Sequence, residues 1–230
     1  MGVALKGVEQ QKAIVKRDRA LAIWKSHCER AGEFIEKVVP SVEGISNQYA
    51  YYIASFLRGG HAQSRDGKPP PGWPPHTGYA FVEARDLSDG NLYRYTGEIL
   101  EPWQTDKNYV KGYTKFAMKR VRIPAITASY GVEFEDISSK QDRDYWIAGG
   151  SLRVVDLATN LKIAERVGYM VDVAQGSSSG GRSPWLFAAD HACPEFNRDF
   201  NFPNKSGTRL FSYQLSQSER FVEKVLKPAP

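Results

Sequence analysis

The chain has 230 residues, with 31 Lys and Arg against 26 Asp and Glu for a formal charge of +5, and 41% of its residues are hydrophobic. Such a chain makes one substantial domain or two small ones with a core that needs no staples, and no run in it approaches the ~20 consecutive apolar residues of a membrane-spanning helix. The modest cationic excess serves solubility and permits an acidic partner without requiring one, so charge does not mark a nucleic-acid-binding protein.

The N-terminus, MGVALKGVEQQKAIVKRDRA, has no apolar h-region of a signal peptide. Lys6 stands where N-myristoylation needs Ser or Thr. Residues 10–39 read as one long helix. Ile14, Leu21, Trp24, Cys28, Ala31, Ile35 and Val38 fall three or four apart on one stripe, Arg17 alone breaks the register, and Pro40 ends the run. Cys28 therefore faces a core or a covering segment. The following stretch, VEGISNQYAYYIASFL, alternates as extended chain with apolar groups on both faces, which predicts a well-covered strand.

Residues 58–78 are dense in proline and glycine, with Trp73 among the prolines. That composition removes backbone donors and predicts a long surface excursion. Residues 79–99 predict a hairpin, two alternating strands around Ser88-Asp89-Gly90-Asn91, with Tyr93 and Tyr95 on one face. In residues 107–122, Lys107, Lys111, Lys115 and Lys119 recur every four positions, interleaved with Tyr109, Tyr113 and Phe116. Base stacking is one reading. A solvated basic edge beside buried aromatics is the preferred one, and Gly112 with the β-formers argues against a helix.

ITASYGVEFEDIS predicts a strand, and SSKQDRDYW a short helix capped by Ser138 or Ser139 with Gln141 and Asp142 close behind. Strands 151–157 and 162–173 flank a turn at Ala158-Thr159-Asn160. The loop AQGSSSGGRSP, 174–184, has Arg182 where a phosphate-binding loop needs Lys, and the spacing fails as well. A last helix runs from about 216 to 226, with Phe221, Val222 and Val225 as its apolar face and Pro228 ending it.

The two cysteines, Cys28 and Cys193, have no CxxC neighbour, so they are either two free thiols or one long-range disulfide. Cys193 sits in GGRSPWLFAADHACPEF, where Asp190, His191 and Cys193 crowd together. His191 and Cys193, two apart, diverge on a helix, and the adjacent Asp190 and His191 diverge in a strand. The four histidines (His27, His61, His76 and His191) show no metal spacing. Glu133 and Glu135 read as a solvated strand edge rather than a glycosidase pair. The preferred reading is structural. PWLFAAD is buried, Asp190 and His191 satisfy backbone groups around a turn, and a Cys28–Cys193 bond pins the segment to the N-terminal helix.

YGVEFEDISSKQDRDYWIAGGSLRVVDLATNLKIAERVGYMVD, followed by GGRSPWLFAADHACPEF, resembles a poorly characterised family of bacterial cell-envelope proteins. CERAGEFI and RFVEKVLKP are similar to it too. The resemblance covers about 125–230 well and 20–45 loosely. Members are exported proteins or lipoproteins whose genes lie near type VI secretion genes and phospholipase effectors. The resemblance thus implies a periplasmic immunity protein, one half of a toxin–antitoxin pair, whose protein partner is a secreted lipase-type effector. It also implies a possible membrane tether through a leader absent from this chain. The absent leader and the Pro-rich 58–78 segment depart from the family pattern.

The expected fold is α+β in a single domain over 1–230: an antiparallel β-sheet packed against the long N-terminal helix 10–39, the loop 58–78, and a β-rich core 79–230 ending in a short helix. The expected partner-binding anchors are Trp73, Trp103, Tyr109, Tyr113, Arg182 and Trp185. No catalytic residue, metal or cofactor is expected. An envelope lipid- or small-ligand-binding protein, with an apolar cavity between aromatic strands, is the alternative. A hydrolase built on His191 is a third.

Overall fold

The computed structural model describes residues 2–49, 53–58, 78–100, 115–181, 183–185, 188–195 and 211–230. In chain order its elements are α1 (Gly2–Cys28), β1 (Gly32–Ile35), β2 (Val39–Val42), β3 (Gly44–Tyr49), α2 (Ile53–Phe56), β4 (Phe81–Arg85), β5 (Leu92–Leu100), β6 (Lys115–Arg122), β7 (Tyr130–Asp136), α3 (Lys140–Asp144), β8 (Ile147–Asp156), β9 (Leu161–Val171), β10 (Ala192–Cys193), α4 (Phe211–Val225) and β11 (Leu226–Pro228). Two compact units form. The first holds residues 1–34, 134–152 and 165–217, and the second holds 35–133, 153–164 and 218–230. The protein is α+β with a long N-terminal helix and a short C-terminal one, but its β-structure is mixed rather than antiparallel. Among the described residues no helix is long and apolar enough to cross a membrane.

In the first unit the strand order is β1-β9-β8-β7, with β10 antiparallel to β9 through Ala192↔Met170 and Cys193↔Tyr169. α1 is shorter at its C-terminal end than the stripe predicts. Arg30 and Ala31 N–H donate three residues back, to His27 and Cys28 carbonyls, closing a tight last turn. Beyond it Gly32, at φ 150°, opens β1, and Phe34, Ile35, Val38 and Val39 are residues that favour a pleated strand. Ala31, Ile35 and Val38 are thus not helical. At the other end, residues 8–19 are all exposed, Ile14 included, and Ala20 is the first buried residue among those described. The core of this unit joins Ala20, Ile147 and Val171, with Leu21, Ile23, Trp24, Tyr145, Tyr169 and Val173 packed around them. Cys28 is disulfide-bonded to Cys193, Cα atoms 5.5 Å apart, which ties the end of α1 to β10.

α3 is capped as its sequence requires. Ser139 Oγ accepts from Asp142 N–H at 3.0 Å, and the Asp142 carboxylate accepts from Ser139 N–H at 2.8 Å, a reciprocal capping box. After α3, Trp146 takes the left-handed position (φ 55°) usually filled by glycine.

In the second unit the order is β7-β3-β4-β5-β6. β3 runs parallel to β4, from Gly44↔Phe81, and parallel to β7, at Ser46↔Gly131 and Asn47↔Val132. A parallel pair cannot be joined by a tight turn. Between β3 and β4, Ile53–Phe56 is one helical turn rather than strand, with Ile53 and Phe56, three apart, both buried. β4 and β5 form the expected hairpin. Asp86 Oδ1 accepts from Ser88 N–H at 2.9 Å, Asp89 Oδ1 from Asn91 N–H at 2.9 Å, and Gly90 supplies φ 71°. The lysine cadence lies on β6, a strand, as far as it is described. In the β8–β9 hairpin, Asp156 Oδ1 receives Ala158 N–H at 3.1 Å and Asn160 turns the chain at φ 57°.

Glu83, fully buried on β4, is held ionised. Burial opposes its charge, but Ala128 and Thr127 N–H, Arg94 and the Thr127 hydroxyl outweigh burial and keep its carboxyl below the usual range. α4 begins at Phe211, ahead of the expected 216, and buries Phe221, Val222 and Val225. Pro228 does more than end it. β11 pairs in parallel with β2, Leu226↔Val39 and Pro228↔Val42, and Leu226 O accepts the buried Tyr79 hydroxyl at 2.7 Å.

Candidate functional site

Of the six expected anchors, Trp73, Trp103, Tyr109, Tyr113 and Arg182 lie outside the described residues. Trp185 is described, and the first unit builds a rigid seat for it. β9 ends at Val171, and the next residue, Asp172, is fully buried. Its N–H donates to Trp146 O at 2.9 Å. Its carboxylate accepts three backbone donors of the following loop: Ala174 N–H at 3.1 Å, Gly176 N–H at 3.3 Å and Trp185 N–H at 3.1 Å. One short acidic side chain thus replaces the ladder partners that a loop lacks. Gln175 adds a brace, its Nε2 donating to Tyr145 O at 2.8 Å and to Asp172 O at 3.1 Å.

The loop closes over the Trp146 ring. A Cβ built on Gly176, which sits at φ 74°, would lie 1.9 Å from Trp146 Cζ2. Only glycine fits there, for its conformation and for its lack of a side chain. Gly176→Ala is therefore expected to lower the unfolding free energy by about 2–4 kcal/mol through overpacking and backbone strain. Urea unfolding followed by tryptophan fluorescence measures this, and a loss below about 0.5 kcal/mol would mean that the loop does not close on the indole.

Trp185 stands over the same ring, centroids 5.4 Å apart and planes tilted by 43°. It is 37% exposed and sits at φ 67°. Trp146, Gln175 and Trp185 are three bulky residues in the left-handed region within one loop system. Such backbone persists only where surrounding contacts over-determine it. The arrangement presents one large, half-covered indole on a seat that is already formed.

The stretch around Cys193 is structural in its disulfide. His191 Nδ1 is buried without a hydrogen-bond partner among the described residues, and its ring meets Trp24 in a T-shaped pair with centroids 6.1 Å apart. Asp190 is exposed. Glu133 and Glu135 lie on β7, half-buried and exposed respectively, Glu133 with Arg153 Nη2 at 3.7 Å.

A second constellation escaped sequence reasoning. His27, in the last turn of α1, meets Asp142 Oδ1 through Nε2 at 2.6 Å, and Arg30 Nη2 meets His27 Nδ1 at 2.9 Å. A guanidinium only donates, so Nδ1 accepts and Nε2 carries the hydrogen given to Asp142. The other carboxylate oxygen takes the Ser139 hydroxyl at 2.7 Å. Burial disfavours the charge of Asp142, but Ser139 and His27 overcome this and hold its carboxyl below the usual range. Tyr169 stacks on the imidazole at 4.7 Å. A serine, a histidine and an aspartate meet here, yet the hydroxyl reaches the acid and not the imidazole. The group braces α1 against the cap of α3 and contains no activated nucleophile. Only the Ser139–Asp142 spacing was readable; His27 lies 115 residues from its partner.

Among the described residues no group of three or more His, Cys, Asp or Glu is placed to hold a metal ion. Comparison of the chain with protein-family models, curated proteins and solved structures finds no match in any of the three.

Proposed function

We propose that this protein is a periplasmic immunity protein that binds a secreted lipase-type effector of a type VI secretion system and neutralises it by contact. The resemblance of residues 125–230 to envelope proteins encoded near phospholipase effectors motivates the choice of partner. The Cys28–Cys193 bond is compatible with an oxidising compartment. The observation that carries the reading is Trp185, a half-exposed indole held in advance by Asp172 and Trp146. A seated tryptophan loses little freedom on binding and is the residue type richest in binding hot spots.

The test mixes the purified protein with the lipase-type product of the adjacent gene. A stoichiometric complex and loss of lipase turnover are expected. Trp185→Ala should weaken the complex by about 2 kcal/mol or more, roughly 30-fold, measured at a temperature where the variant is fully folded. Absence of a complex at micromolar concentrations of both proteins would overturn the reading.

A further inference from the structure

We propose that the free edge of β6 is a strand-addition site for an extended acidic segment of a partner protein. β6 is the last strand of its sheet among the described residues. It pairs with β5 at all eight positions, Leu100↔Lys115 to Tyr93↔Arg122, with no register shift. About half of its backbone N–H and C=O groups therefore point away from β5 along a straight edge.

Natural edges are usually shortened, bulged, interrupted by proline or lined with charge, Lys above all, and of these devices β6 carries only charge. This one is long and regular, and neither face of its second half is covered. Met118, Lys119, Arg120, Val121 and Arg122 are all exposed, Val121 to 69% and Met118 to 48%. Alternation puts Lys119 and Val121 on one face, and Met118, Arg120 and Arg122 on the other. Each face thus offers an apolar contact beside a cation.

Charge chooses the occupant. The strand KFAMKRVR carries Lys115, Lys119, Arg120 and Arg122 and no acid. Lys119 reaches Glu98 at 2.5 Å, and Arg120 pairs with Asp86 while lying over the Tyr93 ring, so two of the cations are fixed in place. A second copy of the chain laid on this edge would set one basic strand against another. The same charges disfavour that pairing and favour a strand with Glu or Asp at alternate positions and apolar residues between them.

The probe is a synthetic nine-residue peptide of alternating Glu and Val carrying a fluorophore. It contains no effector sequence, so its outcome is separate from that of the effector reading. Saturable binding is expected, with slowed amide hydrogen exchange confined to β6. Affinity should fall about tenfold for the same peptide N-methylated at alternate residues, which keeps the charge and removes main-chain donors, and about tenfold for the Lys119→Glu/Arg122→Glu variant. Equal binding of the N-methylated peptide would reduce the effect to charge alone and overturn the proposal. So would tighter binding of an oligo-dT of equal charge, or no binding up to about 1 mM peptide.

Discussion

Replacing Cys28 and Cys193 together by alanine is expected to lower the unfolding free energy by about 2–5 kcal/mol. The bond spans a sequence separation of 165 residues, and loops of that length gain most from closure in the chain-entropy account. The local structure points the same way. α1 is long, but its residues 8–19 are exposed, and its described buried and half-buried residues lie between Ala20 and Cys28. Its apolar contacts there are few, and beyond them stand the His27–Asp142 brace and the disulfide. Without the bond, α1 and β10 should loosen before the rest, with lost helical circular dichroism preceding the main urea transition. Reductant should reproduce the effect in the wild type and leave the double variant unchanged. Two alkylatable thiols in material purified from an oxidising compartment would refute the bridge, and a double variant as stable as the wild type would refute its weight.

The second large effect is on pH. Glu219 and Glu223 lie one turn apart on α4, Glu219 almost fully buried. Burial raises the Glu219 carboxyl from an ordinary 4.5 to about 7, against the pull of Ser55 and Arg220. Burial and then the neighbouring Glu219 raise Glu223 to about 7, against Arg220. Burial and Glu223 also push the Tyr79 hydroxyl upward. The unfolded chain releases these two carboxyl protons near 4.5, while the folded chain keeps them until about 7. The native state therefore holds more protons between those values, and stability must fall as pH rises through that window. Each carboxyl contributes a loss of order 3 kcal/mol, the two being coupled and not simply additive. The melting temperature is expected to drop between pH 5 and pH 8, and Glu219→Gln should flatten the slope and raise the melting temperature at pH 8. A wild type that grows more stable from pH 5 to pH 8, or a Gln variant with the parent slope, would sink this account.

How much of this was legible depended on whether the cause was local. Alternation and the Asp-Gly pair gave the β4–β5 hairpin, Asn160 marked the β8–β9 turn, and Ser139 three residues before Asp142 announced the α3 cap. Two cysteines left free thiols and a long-range disulfide both open, and the bond was preferred as a structural account of the segment around Cys193. The C-terminal end of α1 was missed because Ala31, Ile35 and Val38 continue a spacing of three and four by chance, and spacing does not register that β-formers have taken over. Parallel pairing of β3 left no mark, since its partners β4 and β7 are chosen by residues far along the chain. Of the binding candidates, Trp185 was named for its residue type alone. Its seat depends on Asp172 reaching three backbone donors, a geometry that no spacing encodes.

The pairing of β11 with β2 bears on how the chain comes into being. Leu226 and Pro228 zip against Val39 and Val42, residues far earlier in the chain. Contacts of such sequence separation lengthen folding times most. Until residues 226–228 have been synthesised, β2 lacks this partner strand, so the second unit closes only on a segment made long after β2 itself.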